Sequence, residues 1–139
     1  MIRTERITEV PESVLATLAP YAQREFARDR ALALLDATKD KWIMWDDDKP
    51  CFICGVYKAA MLGNDPEFWL LLCNGFNARR HLKPCKYYAR LLREGYPRLT
   101  MVVDSSFRSG RRFTEICGFK AIGQVTRREQ SYELYGVAP

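Results

Sequence analysis

Two apolar, β-rich runs, residues 67–73 and 99–104, flank a segment in which Ala78, Leu82, Cys85, Ala89 and Leu92 recur at helical spacing. This order constrains the fold most, because a helix between two strands of one sheet implies a crossover. The expected class is therefore α/β, with a mixed central sheet and helices on both faces. Pro84 lies inside the helical pattern and either kinks the helix or marks its start near Lys83. Gly95 followed by Pro97 gives its end.

The remaining elements follow from the same periodicities. Residues 11–18 and 21–36 read as two helices, with Pro20 between them. Trp42-Ile43-Met44-Trp45, a polar turn of five residues and Cys51-Phe52-Ile53-Cys54-Gly55-Val56 read as a β-hairpin. Residues 57–62 are ambiguous, and Gly63-Asn64-Asp65-Pro66 is a turn before the strand at 67–73, so three consecutive strands should be antiparallel neighbours. After the strand at 99–104 come a helix at 111–117 and two final strands around residues 127–130.

At 139 residues, one domain spanning residues 1–139 is expected. A hydrophobic content of 47%, with three Trp, seven Tyr and seven Phe, excludes a disordered composition. The net charge of +5 favours anionic partners, and its basic residues gather at 79–98 and 108–128 rather than in a tail. The N-terminal sequence lacks the apolar stretch of a signal peptide, and no apolar run approaches the roughly 20 residues of a membrane helix, so membrane insertion is not expected. Five cysteines at buried-looking positions fit a reducing compartment.

Residues 103–119, read as V-x-x-x-F-x-x-G-x-x-F-T-x-x-x-G-F, resemble a segment of the GNAT acyltransferase superfamily. That segment is usually a strand, an Asn-x-x-Ala turn and a Tyr-containing helix before Gly-Phe. Length and the positions of both basic helices further resemble small GNAT-like bacteriophage proteins, including a minor internal virion component. This resemblance implies a virion-associated or host-interacting protein with weak or absent catalysis. It also implies a phage or host protein partner, and a place in the host cytoplasm or packaged in the virion. The alternatives are an acetyl-CoA-dependent N-acetyltransferase acting on a primary amine, and a basic nucleic-acid-binding protein.

In the superfamily, acyl-CoA enters between two splayed parallel strands, matched here by residues 67–73 and 99–104. Its pyrophosphate meets the amides of the following loop and helix N-terminus, donors that lack intrahelical partners. The resemblance thus implies acetyl-CoA or CoA as cofactor. It carries Leu72, Cys73, Asn74, Gly75, Phe76, Asn77, Ala78, Arg79 and Arg80 over as cofactor-binding residues, joined by Phe107, Gly110 and Phe113. The loop lacks the family's Arg/Gln-x-x-Gly-x-Gly/Ala spacing. Amine acylation needs a base for the amine and a donor for the departing thiolate. Glu67 and Asp104 are the carboxylate candidates, Tyr87 or Tyr88 the donor candidates, and Thr114 occupies the usual tyrosine position while Phe107 occupies the usual asparagine position. The other reading of this stretch has Phe113 and Phe119 packing on the sheet, Gly118 stopping the helix and the arginines facing water.

Other constellations are weaker. Cys51-x-x-Cys54 lies in an apolar strand without a second cysteine pair, so no metal is expected. Alternation makes that strand buried on both faces. His81, the sole histidine, sits among Arg79, Arg80 and Lys83, which places it on a solvated helix face. Trp42, Trp45 and Trp69 read as sheet-packing residues. The basic helices can touch phosphates, but nothing resembles a helix-turn-helix, zinc knuckle or aromatic RNA-binding motif.

Overall fold

The computed structural model describes residues 1–18, 36–58, 65–127 and 129–137. The expected second helix, residues 59–62 of the ambiguous stretch, and Gly63 and Asn64 of the following turn lie mainly or wholly outside these residues. The chain forms two compact units, Met1–Lys58 with Phe68–His81, and Ala59–Glu67 with Leu82–Pro139.

The first unit contains β1 (Ile2–Ile7), α1 (Glu12–Leu15), β2 (Asp40–Asp46), β3 (Lys49–Tyr57) and β4 (Glu67–Leu72) beyond its first residue. Its strand order is β1-β2-β3-β4, with β1/β2 and β2/β3 antiparallel. Strand β1 corrects the sequence reading, which had no element there. Only Ile7 of its six residues is buried, so this edge strand carries no apolar alternation by which it could be recognised.

The β2–β3 hairpin was expected, but its turn is tighter than the five residues read from the sequence. Asp46 pairs with Lys49, leaving Asp47-Asp48 as the turn. Asp47 takes φ 53°, a left-handed conformation that aspartate tolerates better than most residues. The register then shifts, with Trp45 opposite Pro50 and Met44 opposite Phe52, so Cys51 is the extra residue of a β-bulge. Every residue from Cys51 to Val56 is buried, as expected of a strand covered on both faces. One core cluster of this unit joins Ile7, Val14, Leu18, Ile43, Ile53, Trp69, Leu71 and Cys73. Trp69 reconciles its polar edge with burial by donating from Nε1 to Thr38 Oγ1 at 3.1 Å.

A long helix, α2 (Ala78–Gly95), starts in the first unit and continues into the second. It begins at Ala78 rather than near Lys83, so Pro84 lies inside it, where its missing N–H removes the donor for the Arg80 carbonyl. The helix ends at Gly95, as expected. The second unit continues with β5 (Thr100–Asp104), α3 (Arg108–Ile116), β6 (Phe119–Arg127) and β7 (Gln130–Val137). Its strand order is β5-β7-β6, all antiparallel, while Glu67, the β4 residue belonging to this unit, pairs in parallel with Thr100 of β5. The sheet is therefore mixed, as the strand-helix-strand order implies.

Helix α3 begins three residues earlier than the expected Arg111 and is followed by Cys117 and Gly118. Gly118 has φ 99°, and a Cβ built there would lie 1.7 Å from Arg93 Nη1. Arg93 Nη1 donates to the Gly118 carbonyl at 2.7 Å, so the glycine both stops α3 and admits the guanidinium. Gly118→Ala is expected to destabilise the protein by about 1–3 kcal/mol, measured by urea unfolding, through the strained φ and loss of the Arg93 bond.

Candidate functional site

The loop after β4 is built by backbone bonds within the first unit. The Cys73 N–H donates to Cys51 O at 2.9 Å, the Asn74 N–H to Thr17 O at 2.7 Å, and the Phe76 N–H to Cys73 O at 3.1 Å. Gly75 lies against β3, where a Cβ would meet the Pro50 carbonyl oxygen at 2.9 Å. Leu72 and Gly75 are half-buried, Cys73 is buried, and Asn74 is exposed. Phe76 is half-buried and packs edge-on against Phe52, with ring centroids 6.3 Å apart.

Asn77 caps α2. Its Oδ1 accepts from the Arg79 N–H at 3.0 Å and the Arg80 N–H at 3.3 Å, satisfying two of the first-turn donors that the helix leaves open. The asparagine's own N–H donates to His81 Nδ1 at 2.9 Å. Because Nδ1 accepts, the ring proton of neutral His81 sits on Nε2, which donates to Asp46 Oδ2 at 3.0 Å. Arg80 approaches the same carboxylate, with Nε 2.6 Å from Oδ2 and Nη2 3.1 Å from Oδ1. The His81 hydrogen bond, with help from Arg80, holds the Asp46 carboxyl below its ordinary value, against a smaller opposing effect of desolvation.

His81 is thus not the solvated helix residue expected from its sequence neighbours; it is 1% exposed. Its partners come from the end of β2, 35 residues away, and the β2–β3 turn that delivers Asp46 was read too long. An Asn77-x-x-x-His81 spacing, placing a ring acceptor one turn below a cap, was the available signal. Cys51 Sγ lies 3.7 Å from the same Nε2. This is not a nucleophile-base arrangement, since Nε2 carries the proton and Asp46 receives it. Burial, followed by the Asp46 charge, pushes the Cys51 thiol up. Ala78 and Arg79 are exposed, and the first turn of α2 contains no acid. Arg79 and Arg80 therefore add positive charge at the positive end of the helix dipole.

The second segment belongs to the other unit. Phe107 is the residue before α3 and makes no side-chain cap. Its ring lies over Gly110, where a Cβ would come within 2.4 Å of Phe107 Cδ2. Thr114 is 5% exposed, and its Oγ1 donates to the Gly110 carbonyl at 2.8 Å. Phe113 is half-buried, and Phe119 is buried. Asp104 Oδ1 accepts from the Ser106 N–H at 2.9 Å, Ser106 Oγ at 2.7 Å and Gln130 Nε2 at 3.0 Å. Glu67 is half-buried at its pairing with Thr100. Tyr88 is half-buried, with its ring edge-on to Tyr87 at 5.3 Å.

The five cysteines are free and buried, and among the described residues no three His, Cys, Asp or Glu side chains gather as metal ligands. No described helix is long and apolar enough to cross a membrane.

His81→Ala is expected to cost about 2–3 kcal/mol, because it orphans the Asn77 N–H and removes the donor to Asp46. The Asp46 contribution has a defined pH sign. Its folded value is depressed, so its stabilisation is present above the unfolded carboxyl value of about 3.9 and lost as pH falls through the folded value. Asp46→Asn should flatten the acid limb of a plot of melting temperature against pH.

No protein-family model matches the sequence, and no curated protein does. Solved structures do match. An N-acetyltransferase from Staphylococcus aureus has a TM-score of 0.73 and 8% identity, with 99% of this chain and 97% of that chain covered. A Bacillus subtilis acetyltransferase in complex with CoA has a TM-score of 0.71 and 10% identity, over 99% of this chain and 98% of that one. A GNAT family acetyltransferase from Elizabethkingia anophelis, with acetyl-CoA bound, has a TM-score of 0.68 and 10% identity, over 98% and 97%. Over nearly its whole length, the chain has the fold of the GNAT acetyltransferases.

Proposed function

We propose that this protein binds a CoA thioester and transfers its acyl group to a primary amine. The observation that carries this reading is fold agreement with acetyltransferases solved with CoA and with acetyl-CoA, over 98–99% of this chain. The electropositive start of α2 supports it, because Arg79 and the helix dipole together favour an anion such as a pyrophosphate. In this reading the pyrophosphate competes with Asn77 Oδ1 for the Arg79 and Arg80 amides, and Arg79 supplies a mobile counter-charge.

For the chemistry, Glu67 or Asp104 takes a proton from the acceptor ammonium before the amine attacks the thioester carbonyl. Tyr88 is the proton donor to the departing CoA thiolate. Two features of Asp104 count against it: its Oδ1 already accepts three hydrogen bonds, and the two from Ser106 hold the β5–α3 turn. We therefore favour Glu67. Thr114 is assigned to packing, since its short side chain is buried and its hydroxyl proton is committed to Gly110.

The resemblance to phage proteins would add a virion-associated or host-interacting role, and the charge a nucleic-acid ligand. The matched structures support the acetyltransferase side of the resemblance and add nothing to those two.

Calorimetric titration should detect binding of CoA and acetyl-CoA, weakened about tenfold by Arg79→Glu. In an amine-acylation assay, Glu67→Gln should lower the rate by about 100-fold and Thr114→Val by no more than about twofold. Absence of CoA binding would overturn the proposal, and binding without transfer to any amine would reduce it to a CoA-binding protein.

A further inference from the structure

The C-terminal half of α2 and the end of α3 enclose an open groove of about 390 Å³ within the second unit. Lys86, Arg90 and Arg93 line it on successive turns of α2, with Tyr87 beside them and Ile116 and Cys117 contributed by the α3 end. The spacing of the three cations, four and then three residues, places them along one helical face. Tyr87 is 51% and Ile116 42% exposed, so the groove combines a row of positive charge with two uncovered apolar surfaces.

The compensating acid is slight. Among the described residues, Lys86 has no ion pair, and Arg90 meets only Glu94, at 4.0 Å between two exposed side chains. Such a pair is worth little in water. The helix as a whole carries six Lys and Arg against one Glu. Arg93 has a structural task, donating to the Gly118 carbonyl and lying over the Phe119 ring, which leaves Lys86 and Arg90 as the cations available to a ligand.

We infer that this groove docks an acidic segment of a partner protein, with carboxylates on Lys86 and Arg90 and an apolar side chain against Ile116. Charge complementarity selects the sign of the partner. The apolar surfaces select its kind. A single-stranded nucleic acid would use Tyr87 as a stacking platform, but the guanidinium of Arg90 lies over that ring at 5.7 Å and Tyr88 packs edge-on against it. Ile116 offers a base no comparable surface, whereas it suits a leucine or phenylalanine between acidic residues. With Tyr88 rather than Tyr87 as the proton donor, the groove uses none of the residues given to the CoA thioester or to proton transfer in the proposed function, so the inference stands apart from the acyltransfer reading.

Fluorescence anisotropy tests it with a labelled peptide of Glu and Asp interrupted by Leu and Phe, beside a peptide of the same charge with Ser at the apolar positions. A single-stranded oligonucleotide of equal charge is the third arm. The apolar acidic peptide should bind most tightly. Lys86→Glu with Arg90→Glu should weaken it at least tenfold, and Ile116→Ser should weaken it several-fold while leaving the Ser peptide unchanged. Both changes fall on exposed side chains, and circular dichroism melting verifies that the variants fold. Preference for the oligonucleotide, equal binding of the two peptides, or insensitivity to the charge reversal would each overturn the inference. Titration of CoA into the Ile116→Ser variant, which leaves the helix charge intact, separates this site from the cofactor site, because its affinity should be unchanged.

Discussion

The start of α2 depends on one imidazole ring. His81 accepts the Asn77 N–H through Nδ1 and donates through Nε2 to Asp46, so a single neutral side chain joins the helix cap to the end of β2. Each polar atom of the ring is satisfied, which makes its burial affordable in a region dense with Arg79, Arg80 and Lys83. Asp46 in turn takes up the charge of Arg80. The loop that the acyltransferase reading assigns to a pyrophosphate is thus fastened at both sides, by its cap to the helix and by Cys73 to β3. Preorganisation of this kind lowers the ordering cost of binding an anion there.

The α3 segment shows a different solution at the two positions, 107 and 114, where the superfamily pattern that it resembles has polar groups. Phe107 replaces a capping interaction with a ring laid over Gly110, and Thr114 turns its hydroxyl back onto the same glycine's carbonyl. The two side chains converge on one residue and are mutually consistent, because the ring fits only where Gly110 lacks a Cβ. Packing therefore holds this turn where hydrogen bonding would otherwise do so. Any proton transfer in this fold must then come from another element, which is why the carboxylate on β4 and the tyrosine on α2 carry the chemical proposal.

Much of the fold was legible in the sequence because apolar periodicity reports burial. The runs in β2, β3, β4 and β5 and the repeating Leu82, Cys85, Ala89 and Leu92 each have one or two covered faces, and Gly95 and Gly118 punctuate the helices. Strand β1 was not legible, since an edge strand with one buried residue reads as charged coil. The bulge at Cys51 was hidden for a related reason: a register shift changes pairing without changing composition. Of the candidate site, family resemblance proposed the residues, but their engagements were not readable. Nothing local announces that Asp46 will meet His81.

The six basic residues of α2 outweigh its one acid by the net charge of the entire chain, leaving the remainder of the sequence balanced. An anionic molecule diffusing nearby is therefore drawn toward this helix and toward the second basic cluster at residues 108–128 rather than toward the protein at large. Encounter rates with acidic species should rise in dilute salt and collapse toward an uncharged baseline as ionic strength shortens the Debye length. A helix that the fold uses as a crossover between strands thereby also helps to set the direction from which charged ligands arrive.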